Sequence, residues 1–193
     1  KDSILEAIAR PAEKTLTWGE YRKIFVQPDR IRQGQAFWNE HRDLVLRAEQ
    51  EYGVSRYILL AILGVETRYG KHKGGYRVLD ALATLGFDYP PRAKFFRKQL
   101  RHFLLMEQEA GIDAGSLMGS YAGAMGYPQF IPSSYRAYAV DFDGDGKTDL
   151  VHSAADAIGS VGNYFAEHGW REGLPVAARA RVKGDDYESV FSR

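Results

Sequence analysis

Cysteine is absent from the 193-residue chain, so disulfides and thiolate metal sites are excluded. No apolar run approaches the ~18 residues that cross a membrane as a helix. Neither charge dominates: 26 basic and 25 acidic residues give a net charge of +1, which argues against a nucleic-acid binder. No period-2 alternation is sustained, so strands should be few and short. The histidines His41, His72, His102, His152 and His168 show no HxxxH spacing, which argues against catalytic zinc. Ser120, Ser133 and Ser134 sit in no GxSxG elbow. There is no phosphate-loop lysine and no GxGxxG, so nucleotides are poorly supported. Lys1, not Met, opens the chain and no signal peptide is visible. A mature fragment is expected, with any targeting or lipid-anchor segment outside it.

What is present is mostly helical pattern. Thr17-Trp18-Gly19-Glu20 has the form of a capping box opening a short helix through Phe25. Asp29 is expected to cap a long helix ending at Gly53, and Ser55 one running to about Tyr69. Val78 to Leu85 reads as a short apolar helix stopped by Gly86. Pro91 suits the first turn of another, through about Ala110 and ended by Gly111. Residues 115–135 read as loop with short helical turns, and Ser153 can cap a last helix to about His168. The expected organisation is a helical segment over 1–54, a core over 55–172 and an irregular tail over 173–193.

Three features carry chemistry. The first is a lone acid. On a helix, Leu59, Ile62, Leu63 and Glu66 share one face, so Glu66 belongs to an apolar stripe and lies in the last turn. Burial and the negative end of the helix dipole both disfavour its charged form and raise its pKa. A carboxyl kept protonated is what a general acid needs. The blander alternative is a helix-edge salt bridge to Arg68, Arg77 or a nearby lysine.

The second feature is "GSYAGAMGYPQFIPSSY", Gly119 to Tyr135. Its glycines leave backbone uncovered, Tyr121, Tyr127, Phe130 and Tyr135 offer flat faces suited to sugars, and Ser120 and Gln129 supply neutral donors and acceptors. A tight helix contact with core aromatics is the alternative. The third is "DFDGDGKTDLVH". Asp141, Asp143 and Asp145 stand at positions 1, 3 and 5 of an EF-hand-type loop, with Gly146 at 6, the Lys147 carbonyl at 7 and Asp149 at 9. Position 12 is His152, a poor calcium ligand. Asp156 is a candidate late ligand, or simply the acid of a helix start. A solvated acidic turn is the alternative to a structural cation site. In the basic stretch Arg92 to Arg101, Arg92 can meet an anionic group or remain solvated.

Together these segments resemble the B-type lytic murein transglycosylases. "GVETRYG", "YRVLDALATLGFDYPPRAKFF", "GSYAGAMGYPQFIPSSYRAYAVDFDGDGKTDL" and "DAIGSVGNYFAEHGW" occur in the family's order across roughly residues 10 to 180. The resemblance implies a mainly α fold: a lysozyme-like catalytic core with an EF-hand-like calcium loop at 141–156. It implies cleavage of the bond between N-acetylmuramic acid and N-acetylglucosamine in peptidoglycan without water, leaving 1,6-anhydromuramic ends. It makes Glu66 the acid and then the base, and Tyr21, Arg92, Ser120, Tyr121, Gln129 and Tyr164 substrate-lining. Asp141, Asp143, Asp145, Lys147, Asp149 and Asp156 become the calcium set, with no cofactor for the chemistry. The implied partner is the peptidoglycan glycan strand, with no nucleic acid, for a monomer in the periplasm or held to the outer membrane by a lipid anchor outside this chain. The family continues into a segment with an "NFyxxTrYN"-like motif, which is not found before Arg193. A lysozyme-type hydrolase and a non-catalytic, calcium-stabilised wall-binding module are the competing functions.

Overall fold

The computed structural model describes residues 1–9, 16–110, 112–179, 181 and 183–184. Eight α-helices dominate it: α1 (Asp2–Ala9), α2 (Trp18–Phe25), α3 (Pro28–Tyr52), α4 (Arg56–Thr67), α5 (Val78–Asp88), α6 (Ala93–Ala110), α7 (Pro132–Tyr138) and α8 (Ala154–Glu167). Two two-residue strands, β1 (Tyr76–Arg77) and β2 (Met118–Gly119), pair antiparallel with Tyr76 opposite Gly119. The mainly helical expectation with short strands is borne out. The expected stop at Gly111 and most of the tail beyond residue 179 lie outside the described residues.

Apolar side chains gather in two clusters. In the first, Val78, Leu82 and Leu85 of α5 meet Phe96, Phe103 and Met106 of α6, with Ile4 of α1, Met125 and Leu150 closing the sides. In the second, Phe37, Val45 and Ala48 of α3 pack on Leu59 and Leu63 of α4 and on Ala157, Ile158 and Val161 of α8. Each such large side chain contributes ~1.5–3 kcal/mol by leaving water. The expected division after residue 54 therefore falls between α3 and α4, two helices that share one core.

Helix ends follow local chemistry, with some departures from expectation. Thr17 forms the full capping box with Glu20, and the Ser153 hydroxyl accepts from the Asp156 N–H. Gly53 ends α3 in the left-handed region. Asp29 is not the cap of α3: Gln27 holds that place and Asp29 pairs with Arg32 inside the first turn. Ser55 occupies the N-cap of α4 without a side-chain bond; the N3 donor, Ile58 N–H, bonds the Ser55 carbonyl, and the Arg56 N–H donates to Glu49 Oε1 at 2.7 Å. Gly86 does not stop α5. It is buried within the helix, where a Cβ would come within 3.2 Å of Arg97 Cγ, so its role is close packing of α5 on α6. Pro91 sits in a 3₁₀ turn, Pro90–Arg92, ahead of α6. The N-terminal helix α1 falls within the helical segment expected over 1–54, without bounds or a cap of its own in that reading.

Candidate active site and acidic loop

The chain leaves α4 through three consecutive residues with positive φ: Arg68 at 51°, Tyr69 at 59° and Gly70 at 83°. Two of them are not glycine, an uncommon arrangement that stores strain. Thr67, buried beneath, holds it. Its hydroxyl donates to the Tyr127 carbonyl at 2.8 Å and accepts from the Gly70 N–H at 3.0 Å. At Gly70 a Cβ would lie 2.1 Å from the Tyr127 ring, so only glycine lets the two segments close. The end of α4 is thereby fixed against the glycine–aromatic segment, and Glu66 faces that segment across a cleft.

The cleft holds about 320 Å³ and is lined by Ile62, Glu66, Pro128, Gln129, Phe130, Ile131, Ser134, Val161, Tyr164 and Phe165. Tyr164 and Phe165 also border a neighbouring concavity of about 630 Å³ that runs past His168 and Trp170. Larger hollows found among the described residues lack a lone acid set among apolar walls, so size is the weaker guide here. Although Glu66 is exposed as a residue, burial pushes its carboxyl pKa up from the ordinary value. The two facts agree if the exposure is to the cleft, whose walls displace bulk water. Among the described residues nothing pairs with Glu66. Arg77, one suggested partner, is bound to Asp80 through two hydrogen bonds of 2.8 and 3.0 Å.

Gln129 and Tyr164 share the cleft with Glu66. Gln129 sits at φ 52° and its Nε2 donates to the carbonyls of Gly126 and Lys73, so its amide is braced. Tyr164 stacks on His168 with ring centroids 4.0 Å apart and meets Phe130 at 5.2 Å. Ser120 is not among the lining residues. Its hydroxyl accepts from the N–H groups of Ala122 and Ala124 and shapes the glycine turn. Tyr121, half-buried, also lies outside the lining. Tyr21 belongs to a ladder on α2, 6.3 Å from Trp18 and 5.1 Å from Phe25. The Arg92 guanidinium lies over the rings of Phe95 and Phe96 at 4.3 and 5.3 Å.

Two of the aromatics pack into the first core, Phe130 while also lining the cleft. Phe130 is buried, and Tyr135 is buried with its hydroxyl donating to the Thr148 carbonyl. Burial pushes that phenol up to about 12. Unpredicted lining residues include Ile62, Val161 and Phe165. Their signal was available, since Val161, Tyr164 and Phe165 recur at the spacing of one helical face.

In the acidic loop, Asp141, Asp143 and Asp145 each bring one carboxylate oxygen within 4.8 Å of the others. The turn is bound to itself: the Gly144 and Gly146 N–H groups donate to Asp141, and the Lys147 N–H to Asp145. The Ser153 hydroxyl donates to Asp143. This convergent all-oxygen donor set fits a hard cation such as calcium. Asp149 is occupied otherwise. It accepts from Val151 N–H and from the backbone and ring of His152. Burial raises its pKa, but those bonds and the His152 charge outweigh it and the net shift is downward. Asp156 is 1 % exposed and accepts from the Phe142 N–H at 2.8 Å and the Asp149 N–H at 2.7 Å, clasping both ends of the loop.

A family described as the transglycosylase SLT domain matches residues 1–192. The chain belongs to that family. It is 51% identical over 185 residues to the membrane-bound lytic murein transglycosylase B of Escherichia coli, covering 96% of this chain and 51% of that protein. A crystal structure of the soluble lytic transglycosylase SltB1 from Pseudomonas aeruginosa aligns with TM-score 0.91 at 58% identity, over 98% of this chain and 64% of that one. The E. coli lytic transglycosylase Slt35, solved in complex with calcium, aligns with TM-score 0.83 at 49% identity, over 91% of this chain and 56% of that one. The chain thus spans between half and two thirds of these relatives.

Proposed function

We propose that the chain carries the catalytic acid of a lytic transglycosylase, which cleaves the bond between N-acetylmuramic acid and N-acetylglucosamine in peptidoglycan without water and leaves 1,6-anhydromuramic ends. The supporting observation is the solitary state of Glu66. It is the only carboxylate among the described lining residues, and burial favours its protonated form. Most glycoside hydrolases flank the scissile bond with two carboxylates. One suffices when the attacking oxygen belongs to the sugar. Glu66 protonates the departing glycosidic oxygen, and the muramyl 6-hydroxyl attacks the anomeric carbon. The same carboxylate takes that hydroxyl's proton as the anhydro ring closes, so the acid returns to its starting state. Gln129 and Tyr164 hold the sugars against it; Tyr21, Arg92, Ser120 and Tyr121 extend the contacts along the strand.

Calcium, in this reading, binds the loop through Asp141, Asp143, Asp145 and the Lys147 carbonyl, with Asp149 and Asp156 supporting. Its role is to hold the turn ahead of α8, which carries Tyr164. The working environment in this reading is the periplasm, in keeping with a murein substrate. No helix of the described residues is long and apolar enough to cross a membrane. Mass spectrometry of digested cell wall tests the reaction. Anhydromuramic ends are expected; reducing muramic ends would mean a lysozyme-type hydrolase. No cleavage with retained wall binding would mean a binding module.

A further inference from the structure

On α3 and the turn after α4, four buried side-chain atoms have no hydrogen-bond partner among the described residues: Nε and Nη1 of Arg30, Nε of Arg68 and Oε1 of Gln33. Neither arginine joins an ion pair there. The Tyr69 hydroxyl sits against Gly34 of α3, where it would block an added Cβ, so the turn that holds Arg68 is brought to the helix that holds Arg30. Burial first, and then the charge of Arg68, lower the Arg30 pKa, against a smaller opposing effect of Tyr69. The chain places them together. Arg30 stands in the first turn of α3, and Arg68 follows Glu66 by two residues in the strained turn. Phe37 of α3 packs on Tyr69 at 5.2 Å, joining the two segments.

Two like charges with buried, unbonded donors are costly, and native proteins tolerate such a cluster where something else completes it. The nitrogens outside that sealed set, Nη2 of Arg30 and Nη1 and Nη2 of Arg68, also have no hydrogen-bond partner among the described residues, and a guanidinium suits a carboxylate, which it can meet through paired bonds. Gln33 adds an acceptor for an amide N–H. The Arg30 guanidinium also lies 5.2 Å from the Phe25 ring, and Phe25 continues into Tyr21 and Trp18. An aromatic ladder therefore leads away from the arginine pair, a surface on which sugar rings can lie.

We propose that Arg30 and Arg68 form a carboxylate-binding site that receives an acidic group, neighboured by an amide, on the strand cleaved at Glu66. This rests on the transglycosylase reading for its ligand. A peptidoglycan strand offers two sources. One is the set of free carboxylates on the stem peptide. The other is the lactyl carboxylate of muramic acid, exposed only where that peptide has been removed.

The test uses two probes, N-acetylmuramic acid and an N-acetylated stem tetrapeptide, titrated against the parent, Arg30→Gln, Arg68→Gln and Arg68→Lys. One probe is expected to bind the parent, more weakly as salt rises. Each Gln variant should lose about ten-fold or more in affinity, as for a charged hydrogen bond, and Arg68→Lys should lose less. The probe that binds identifies the source. On strands carrying that carboxylate, the Gln variants should raise KM with kcat retained. Binding of neither probe, or equal binding by parent and Gln variants, overturns the proposal. Thermal melts identify any variant that fails to fold, and the other positions then decide. The two readings fail separately: probe binding without anhydro product sinks the transglycosylase, and anhydro product with binding indifferent to Arg30 and Arg68 sinks the site.

Discussion

Glu66 and Asp156 are both acids whose pKa burial raises, yet the molecule treats them in opposite ways. Asp156 is sealed in, and its two oxygens accept backbone N–H groups from Phe142 and Asp149, which partly offset the burial. Glu66 faces an open cleft and accepts nothing from the described residues. Burial supplies a reluctant carboxylate in both places. What separates them is whether hydrogen bonds have already claimed the oxygens. Where they have, the acid fastens two segments; where they have not, it is free to exchange a proton with a ligand.

The largest expected effect breaks the comparison from the Glu66 side. Glu66→Gln keeps the shape and removes the exchangeable proton, so release of anhydro-muropeptides should fall by about 10²–10⁴-fold, the usual contribution of a positioned acid or base. Melting temperature should not fall. If product release persists within a few-fold of the parent, Glu66 is not the acid. Asp156→Ala should do the reverse. Two backbone donors lose their partner inside the protein, at about 1–3 kcal/mol each. Denaturant unfolding should show that loss, while the rate per folded molecule stays close to the parent. A variant as stable as the parent would mean that water replaces the clasp.

A smaller effect concerns the acids beside the clasp. Calcium should raise the melting temperature of the parent, by the equivalent of about 2.7 kcal/mol at a hundred times its dissociation constant. Asp145→Ala should abolish that rise, because one of three converging oxygens is gone. A calcium titration that leaves the parent's melt unmoved would remove the metal from the proposal.

Legibility in the sequence followed the range of the interaction. Features set by near neighbours were visible: the Thr17–Glu20 capping box, the Gly53 stop, the Ser153 cap and the face that carries Leu59 and Leu63. Features set across the fold were not. Gly86 looked like a stop because its packing partner, Arg97, lies on the next helix. Tyr135 looked like a sugar platform until the Thr148 carbonyl, 13 residues on, took its hydroxyl. Tyr164 meets Glu66 only because α8 returns beside α4, a consequence of the second core, and Gln129 because Thr67 binds the Tyr127 carbonyl. The acidic loop was legible in part. Its 1–3–5 spacing predicts convergence, whereas the inward turn of Asp149 and Asp156 depends on backbone donors that no spacing specifies.

The finest separation of the two acids is in pH. A carboxyl whose folded pKa is raised binds its proton longer in the folded state than in the unfolded one. Stability therefore declines as pH rises from the ordinary carboxylate value, about 4, through the raised value, and the deficit persists above it. Glu66→Gln cannot ionise, so it escapes the decline. Its melting temperature should match the parent's in acid, overtake it as pH passes the carboxylate range, and hold that lead at neutral pH. Asp156 follows the same sign, but its alanine variant also loses two backbone partners and should lie below the parent at every pH. A constant offset between Glu66→Gln and the parent from pH 4 to 8 would mean that the Glu66 carboxyl ionises as freely in the cleft as in the unfolded chain. The acid role would then lose the feature of its surroundings that favours it.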